Sequence, residues 1–126
     1  MTPAPSTEGK PRVLLVDDDV ELCDLMVEFL RDHDFAIDAV HDGAAGLAAA
    51  LRGAHDILVL DMMLPRRSGF LVLEQIQDIP EPPPVLMVTA NEGRRHKAYA
   101  QSLGVGAYLN KPVAMERLLE TVETLL

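Results

Sequence analysis

A chain of 126 residues is long enough for one domain with a proper core and too short for two. Its formal charge of -9 repels a polyphosphate backbone, which argues against nucleic-acid binding by this domain itself, and no apolar run approaches the roughly 20 residues that span a bilayer. With no signal-peptide core at the N-terminus and one cysteine, Cys23, a soluble protein in a reducing, cytoplasmic setting is expected.

Met1 to Lys10 carries Pro3, Pro5, Ser6, Thr7 and Gly9 without apolar periodicity and is expected to be a mobile tail, leaving 11–126 as the domain. Arg12 to Val16 reads as a buried strand closed by Asp17-Asp18-Asp19. Leu22, Leu25, Met26, Phe29 and Leu30 follow at helical spacing with Asp19 as cap, and Cys23 falls among them as a small core or flank residue rather than a redox centre. Phe35 to Val40 predicts a second strand, and Asp42 a cap for a small-residue helix from Ala44 to Arg52 that ends at Gly53.

Ile57-Leu58-Val59-Leu60 is an unbroken apolar run that stops at Asp61, the pattern of a strand buried on both faces. Ser68 can cap a third helix carrying Val72, Leu73, Ile76 and Ile79, which Pro80 and Pro82-Pro83-Pro84 keep short. Val85 to Val88 predicts a fourth strand ending at Thr89-Ala90. The fourth helix, roughly Gly93 to Leu103, has a thin apolar stripe and sets Arg94, Arg95 and Lys97 against the positive end of its own dipole, so marginal stability is expected. Gly104 stops it, Gly106 to Leu109 forms a fifth strand, and a final helix carries Met115, Leu118, Leu119, Val122, Leu125 and Leu126 on one stripe.

Five strand-helix units with no hairpin between strands imply a doubly wound parallel α/β sheet with helices on both faces. Asp17, Asp18, Asp61, Thr89 and Lys111 then fall at or just past the carboxyl ends of strands, the edge at which open α/β sheets bind ligands. Taken singly, each has a plainer reading: Asp17 to Asp19 as helix capping, Asp61 as a turn residue, Lys111 as a solvated loop lysine. Their joint arrival on one edge favours a site. Two charges about 4 Å apart repel by about 4 kcal/mol at an effective dielectric near 20, so clustered carboxylates call for a cation. Without His or Cys in the set, a hard divalent ion such as Mg²⁺ suits it.

The motifs Leu14-Leu15-Val16-Asp17-Asp18-Asp19, Leu58-Val59-Leu60-Asp61 with Met62-Met63-Leu64-Pro65, Val88-Thr89-Ala90 and Tyr108-Leu109-Asn110-Lys111-Pro112, in this order and spacing, resemble the receiver domain of two-component response regulators from Arg12 to Leu126. The resemblance implies a flavodoxin-like fold with strand order 2-1-3-4-5 and five helices. It implies that Asp61 is the phosphoryl acceptor and that Asp17, Asp18, Asp61 and the backbone carbonyl of Met63 hold Mg²⁺. Thr89 and Lys111 would contact the phosphoryl group, Tyr108 would be the switch aromatic, and the Lys111-Pro112 bond would be cis. The donor would be a sensor histidine kinase or a phosphotransfer protein, since the chain has no Gly-rich phosphate loop. A small phosphodonor is the other candidate. The resemblance also leaves room for an output domain or protein partner and for a phosphorylation-dependent homodimer. Met63 and Asn91 would flank the water that hydrolyses the phosphoryl group.

Three features depart from the family pattern: Val113 in place of a frequent aromatic, the short third helix, and Gly106-Ala107 in place of an acidic pair. None removes a phosphorylation residue. Two other classes compete. A Mg²⁺-dependent phosphatase with an aspartate nucleophile needs a second acid two positions on, where this chain has Met63, and a receiver-like module that is never phosphorylated has no need of Asp61, Lys111 and the acidic pair.

Overall fold

The computed structural model describes residues 9–64, 68–90 and 93–126. Most of the expected N-terminal tail, together with Pro65 and Asn91, lies outside the described residues. The elements run β1 (Arg12–Val16), α1 (Val20–Asp32), β2 (Ala36–Val40), α2 (Gly43–Leu51), β3 (Ile57–Leu60), α3 (Gly69–Gln77), β4 (Val85–Thr89), α4 (Arg94–Ser102), β5 (Ala107–Asn110) and α5 (Met115–Leu125). The strands form one parallel sheet in the order β2-β1-β3-β4-β5, the flavodoxin-like topology.

The core is double because strand side chains alternate between faces. Leu14, Val16, Leu58, Leu60, Val85 and Met87 pack on one face against Ala49, Ala50, Val72, Leu73, Ile76 and Ala100 from α2, α3 and α4. On the other face Val13, Leu15, Ile57, Val59, Leu86 and Val88 meet Cys23, Met26, Leu30, Leu118 and Val122 from α1 and α5. Continuous apolar runs in β1, β3 and β4 follow from this arrangement, since each of those strands is covered on both sides.

The capping residues act as their sequence positions indicate. Asp19 accepts from the Leu22 N–H, Asp42 from Ala45 and Ser68 from Leu71. Several boundaries shift. Phe35 precedes β2: it follows Asp34, at φ 68, and its N–H returns to the Leu30 carbonyl in the helix-terminating turn. The second helix starts at Gly43 and leaves Arg52 as its C-terminal cap. Ile79 falls outside α3, which stops at Gln77. The fifth strand is displaced by one residue to Ala107–Asn110, because Asn110 is drawn into register with Thr89.

The fourth helix has no side-chain cap, starting from Gly93, and Ala100 is its buried residue. It leans on α3 through Phe70, whose ring meets the Tyr99 ring edge-on at 5.0 Å and the His96 ring at 5.9 Å. The Tyr99 hydroxyl also donates to Glu74, and the Gln77 amide donates to the Gly104 carbonyl at 3.0 Å.

Gly69, the first residue of α3, packs directly on the end of the third strand. Its N–H donates to the Met62 carbonyl at 2.8 Å, and a Cβ at this position would lie 2.2 Å from the Asp61 carbonyl oxygen and 2.6 Å from the Met62 Cα. Backbone cannot yield as a flexible side chain does. Gly69→Ala is therefore expected to destabilise the domain by about 2 kcal/mol or more, against about 1 kcal/mol for loss of the neighbouring cap in Ser68→Ala. Urea denaturation of the two variants checks the ranking; equal losses would mean that α3 moves away at little cost.

Candidate functional site

The parallel register carries the site. Val16 pairs with Leu60 and Thr89 with Asn110, so Asp17, Asp61, Thr89 and Lys111 emerge together where β1, β3, β4 and β5 end. Backbone bonds tie these ends to one another: the Asp61 N–H donates to the Val16 carbonyl at 2.9 Å, and the Lys111 N–H to the Thr89 carbonyl at 2.9 Å. The peptide after Lys111 is cis to Pro112, as the resemblance implied.

Carboxylate oxygens of Asp17, Asp18 and Asp61 all lie within 4.8 Å of one another. Asp17 and Asp61 are buried, at 2% and 5% exposure, while Asp18 is exposed. Between the two buried acids stands the Lys111 ammonium, 2.7 Å from Asp17 Oδ2 and 3.1 Å from Asp61 Oδ2. The other oxygens are held by backbone: Asp17 Oδ1 accepts from the Asp19 N–H at 3.0 Å, and Asp61 Oδ1 from the Met63 N–H at 3.1 Å.

Burial pushes the Asp17 carboxyl above its ordinary range; the bonds from Lys111 and Asp19 oppose this, and the charge of Asp61 adds to it. Burial works in the opposite sense on Lys111, yet its contacts with Asp17 and Asp61 outweigh it and hold the ammonium above its ordinary range. The Cys23 thiol is pushed up to about 12, first by burial and then by the charges of Asp17 and Asp19, and so stays protonated and inert at neutral pH.

Of the residues singled out from sequence, Asp17, Asp18, Asp61 and Lys111 come together in one cluster, and Thr89 is fully buried beside them at the end of β4. Met63 borders the cluster through its N–H and is itself 64% exposed. Tyr108 sits further back, paired with Met87 and half-buried against the core; burial and the Asp61 charge both raise its hydroxyl's pKa. Two further residues reach the cluster. His41 Nδ1 lies 3.0 Å from the Asp17 carbonyl, and the Cys23 thiol donates to the same carbonyl at 3.3 Å. Sequence reading passed over His41; the available signal was a polar ring directly after the second strand, on the same carboxyl edge.

An open sheet of this order, with three carboxylates and a lysine gathered at its carboxyl edge, defines a flavodoxin-like domain with an acidic edge site. The model of the response regulator receiver domain matches residues 13–123, and the chain belongs to that family of two-component signalling domains. It is 39% identical over 116 residues to the transcriptional regulatory protein CiaR of Streptococcus pneumoniae, covering 91% of this chain and 51% of the relative. To the transcriptional regulatory protein PcoR of Escherichia coli it is 32% identical over 115 residues, with the same two coverages, 91% and 51%. The chain thus spans about half the length of the curated relatives it matches.

Among solved structures, a CheY-like receiver domain protein from Methanospirillum hungatei superposes with a TM-score of 0.88 at 25% identity, covering 92% of this chain and 93% of that one. The chemotaxis response regulator CheY4 of Vibrio cholerae superposes at 0.86 and 26%, covering 93% and 99%.

Replacing Lys111 tests the electrostatic balance. In Lys111→Met the buried Asp17 carboxyl loses the ammonium that opposes the effect of burial, so its folded-state pKa rises further above the unfolded carboxylate value near 3.9. Between the unfolded and folded values the native state then binds more protons than the unfolded one, and stability increases as pH falls through that window. The stability deficit of Lys111→Met is expected to be largest near pH 7.5 and to shrink toward pH 5, measured by urea denaturation in the presence of a chelator. A deficit independent of pH would show that the lysine acts through packing alone.

Proposed function

We propose that this domain is a phosphorylation-activated switch that accepts a phosphoryl group on Asp61. The observation that carries this reading is the placement of the Asp61 carboxylate, one oxygen 3.1 Å from Lys111 Nζ and the other held by the Met63 N–H, within 4.8 Å of two further acids. Phosphoryl transfer asks little of a protein beyond positioning and neutralisation of the charge on the transferring oxygens. An Asp61 oxygen forms the new bond to phosphorus as the bond from phosphorus to the donor breaks, the donor keeping that electron pair, and the product is an aspartyl phosphate. Lys111 neutralises charge on the arriving group, and the Thr89 hydroxyl donates to it.

The acidic cluster fits a hard divalent cation. Its donors are all oxygens, the carboxylate oxygens retain lone-pair capacity, and among the described residues the Lys111 ammonium leaves the three acids in excess. Asp17, Asp18 and Asp61, with the Met63 carbonyl, would hold Mg²⁺. Bound there, it supplies charge neutralisation at the phosphoryl oxygens.

In this reading the donor is a sensor histidine kinase or phosphotransfer protein, and the setting is cytoplasmic. Among the described residues no helix is long and apolar enough to cross a membrane. Curated relatives about twice as long are named transcriptional regulatory proteins, which supports an output domain or partner under the control of this domain. The output face is α4, β5 and α5. Movement of Thr89 toward the phosphoryl group draws on the strand that leads into α4, the uncapped helix, and opens space for the Tyr108 ring.

Incubation with acetyl phosphate and Mg²⁺ is expected to add one hydroxylamine-labile phosphate, seen by mass spectrometry, which Asp61→Asn abolishes; labelling retained in that variant would refute the acceptor assignment. Hydrogen exchange with beryllofluoride is expected to change most in α4, β5 and the start of α5. Changes confined to the loops holding Asp17, Asp18 and Asp61 would overturn the output face.

A further inference from the structure

We infer that His41, together with Cys23, is a positioning residue that fixes the peptide between Asp17 and Asp18 and thereby sets the affinity of the acidic cluster for a divalent cation. This rests on the cation reading of the cluster given above.

Every polar atom of Asp17 is engaged. Its N–H donates to the Val40 carbonyl at 3.1 Å, Oδ1 accepts from the Asp19 N–H and Oδ2 meets Lys111 at 2.7 Å. Its carbonyl accepts twice, from the Cys23 thiol at 3.3 Å and from His41 Nδ1 at 3.0 Å. A carbonyl oxygen can only accept, so Nδ1 carries the hydrogen, and the two donors use both of its lone pairs. They come from different elements: Cys23 from α1, His41 from the turn that follows β2.

The Asp17 carbonyl lies in the same rigid plane as the Asp18 nitrogen and Cα. Holding that oxygen from two sides fixes the rotation of the plane and so the direction in which the Asp18 side chain leaves the backbone. Asp18 needs such support: it is exposed, and among the described residues nothing hydrogen-bonds its carboxylate. The two buried acids are held by Lys111 and by backbone N–H groups, whereas Asp18 is held through its peptide alone. His41 is itself exposed, so its truncation removes a hydrogen bond and leaves the packed core intact. Groups behind metal ligands commonly govern affinity by limiting the orientations available to the ligand.

The test uses the full chain, freed of metal by chelation and titrated with MgCl₂ at constant ionic strength. Kd is read from the amide shift of Asp18 and from the dose dependence of the melting temperature. His41→Ala is expected to raise Kd about fivefold, the ratio that matches loss of one ordinary hydrogen bond, with little change in the melting temperature of the metal-free protein. His41→Asn places an amide nitrogen at the same distance from Cβ as Nδ1 and is expected to return Kd to within about twofold of the wild type. Cys23→Ser, which keeps a donor, should bind more tightly than Cys23→Ala. Wild-type affinity in His41→Ala, or a Kd for His41→Asn no better than that of His41→Ala, would overturn the positioning role. A wild-type protein that ignores Mg²⁺, or an undiminished response in Asp18→Ala, would instead overturn the cation site itself.

Discussion

The Lys111 ammonium between Asp17 and Asp61 is the constraint on which the site depends. Two carboxylates buried side by side repel one another, and among the described residues Lys111 is the cation that meets both, beyond the backbone N–H groups of Asp19 and Met63. Because Lys111 reaches both, one charge holds the ends of β1, β3 and β5 to a common point, although β5 is separated from β1 by two intervening strands. The same contact ties folding to charge, since the two buried acids of the edge are the ones paired with it.

The fold was legible because its core strands obey a simple rule. Strands covered by helices on both faces must be apolar throughout, so β1, β3 and β4 appear in the sequence as short unbroken runs, each ended abruptly by a polar residue. Those end residues also include three members of the candidate site, Asp17, Asp61 and Thr89. Boundaries were less legible where partner strands decide them: Asn110 joins β5 because Thr89 lies opposite, and Phe35 leaves β2 because the turn after α1 claims its N–H. His41 was passed over for a similar reason. Its place directly after β2 sets it on the carboxyl edge, but its reach to the Asp17 carbonyl just past β1 is decided by the neighbouring strand.

Arg94, Arg95 and Lys97 oppose the dipole of α4, and the helix starts from Gly93 without a side-chain cap. What the chain alone did not reveal is that α4 is held from the side. Phe70, Tyr99 and Glu74 tie it to α3, and α3 in turn begins at Gly69, seated on the Asp61 backbone with no room for a Cβ. The fourth helix thus leans on a neighbour whose own position is set at the acidic edge.

The opposite flank is built differently. At the far end of the sheet the Arg12 guanidinium lies 3.5 Å from Asp38, His55 Nε2 lies 2.8 Å from the same carboxylate, and Asp56 accepts from the Arg12 N–H, so the start of β1, the middle of β2 and the entry to β3 are fastened together. Side-chain ion pairs thus brace the sheet on the β2 side of β3, whereas on the β5 side the tie between strand ends is Lys111 itself. Loss of the Lys111 contact would therefore release one flank while the Arg12–Asp38–His55 fastening of the other stays in place.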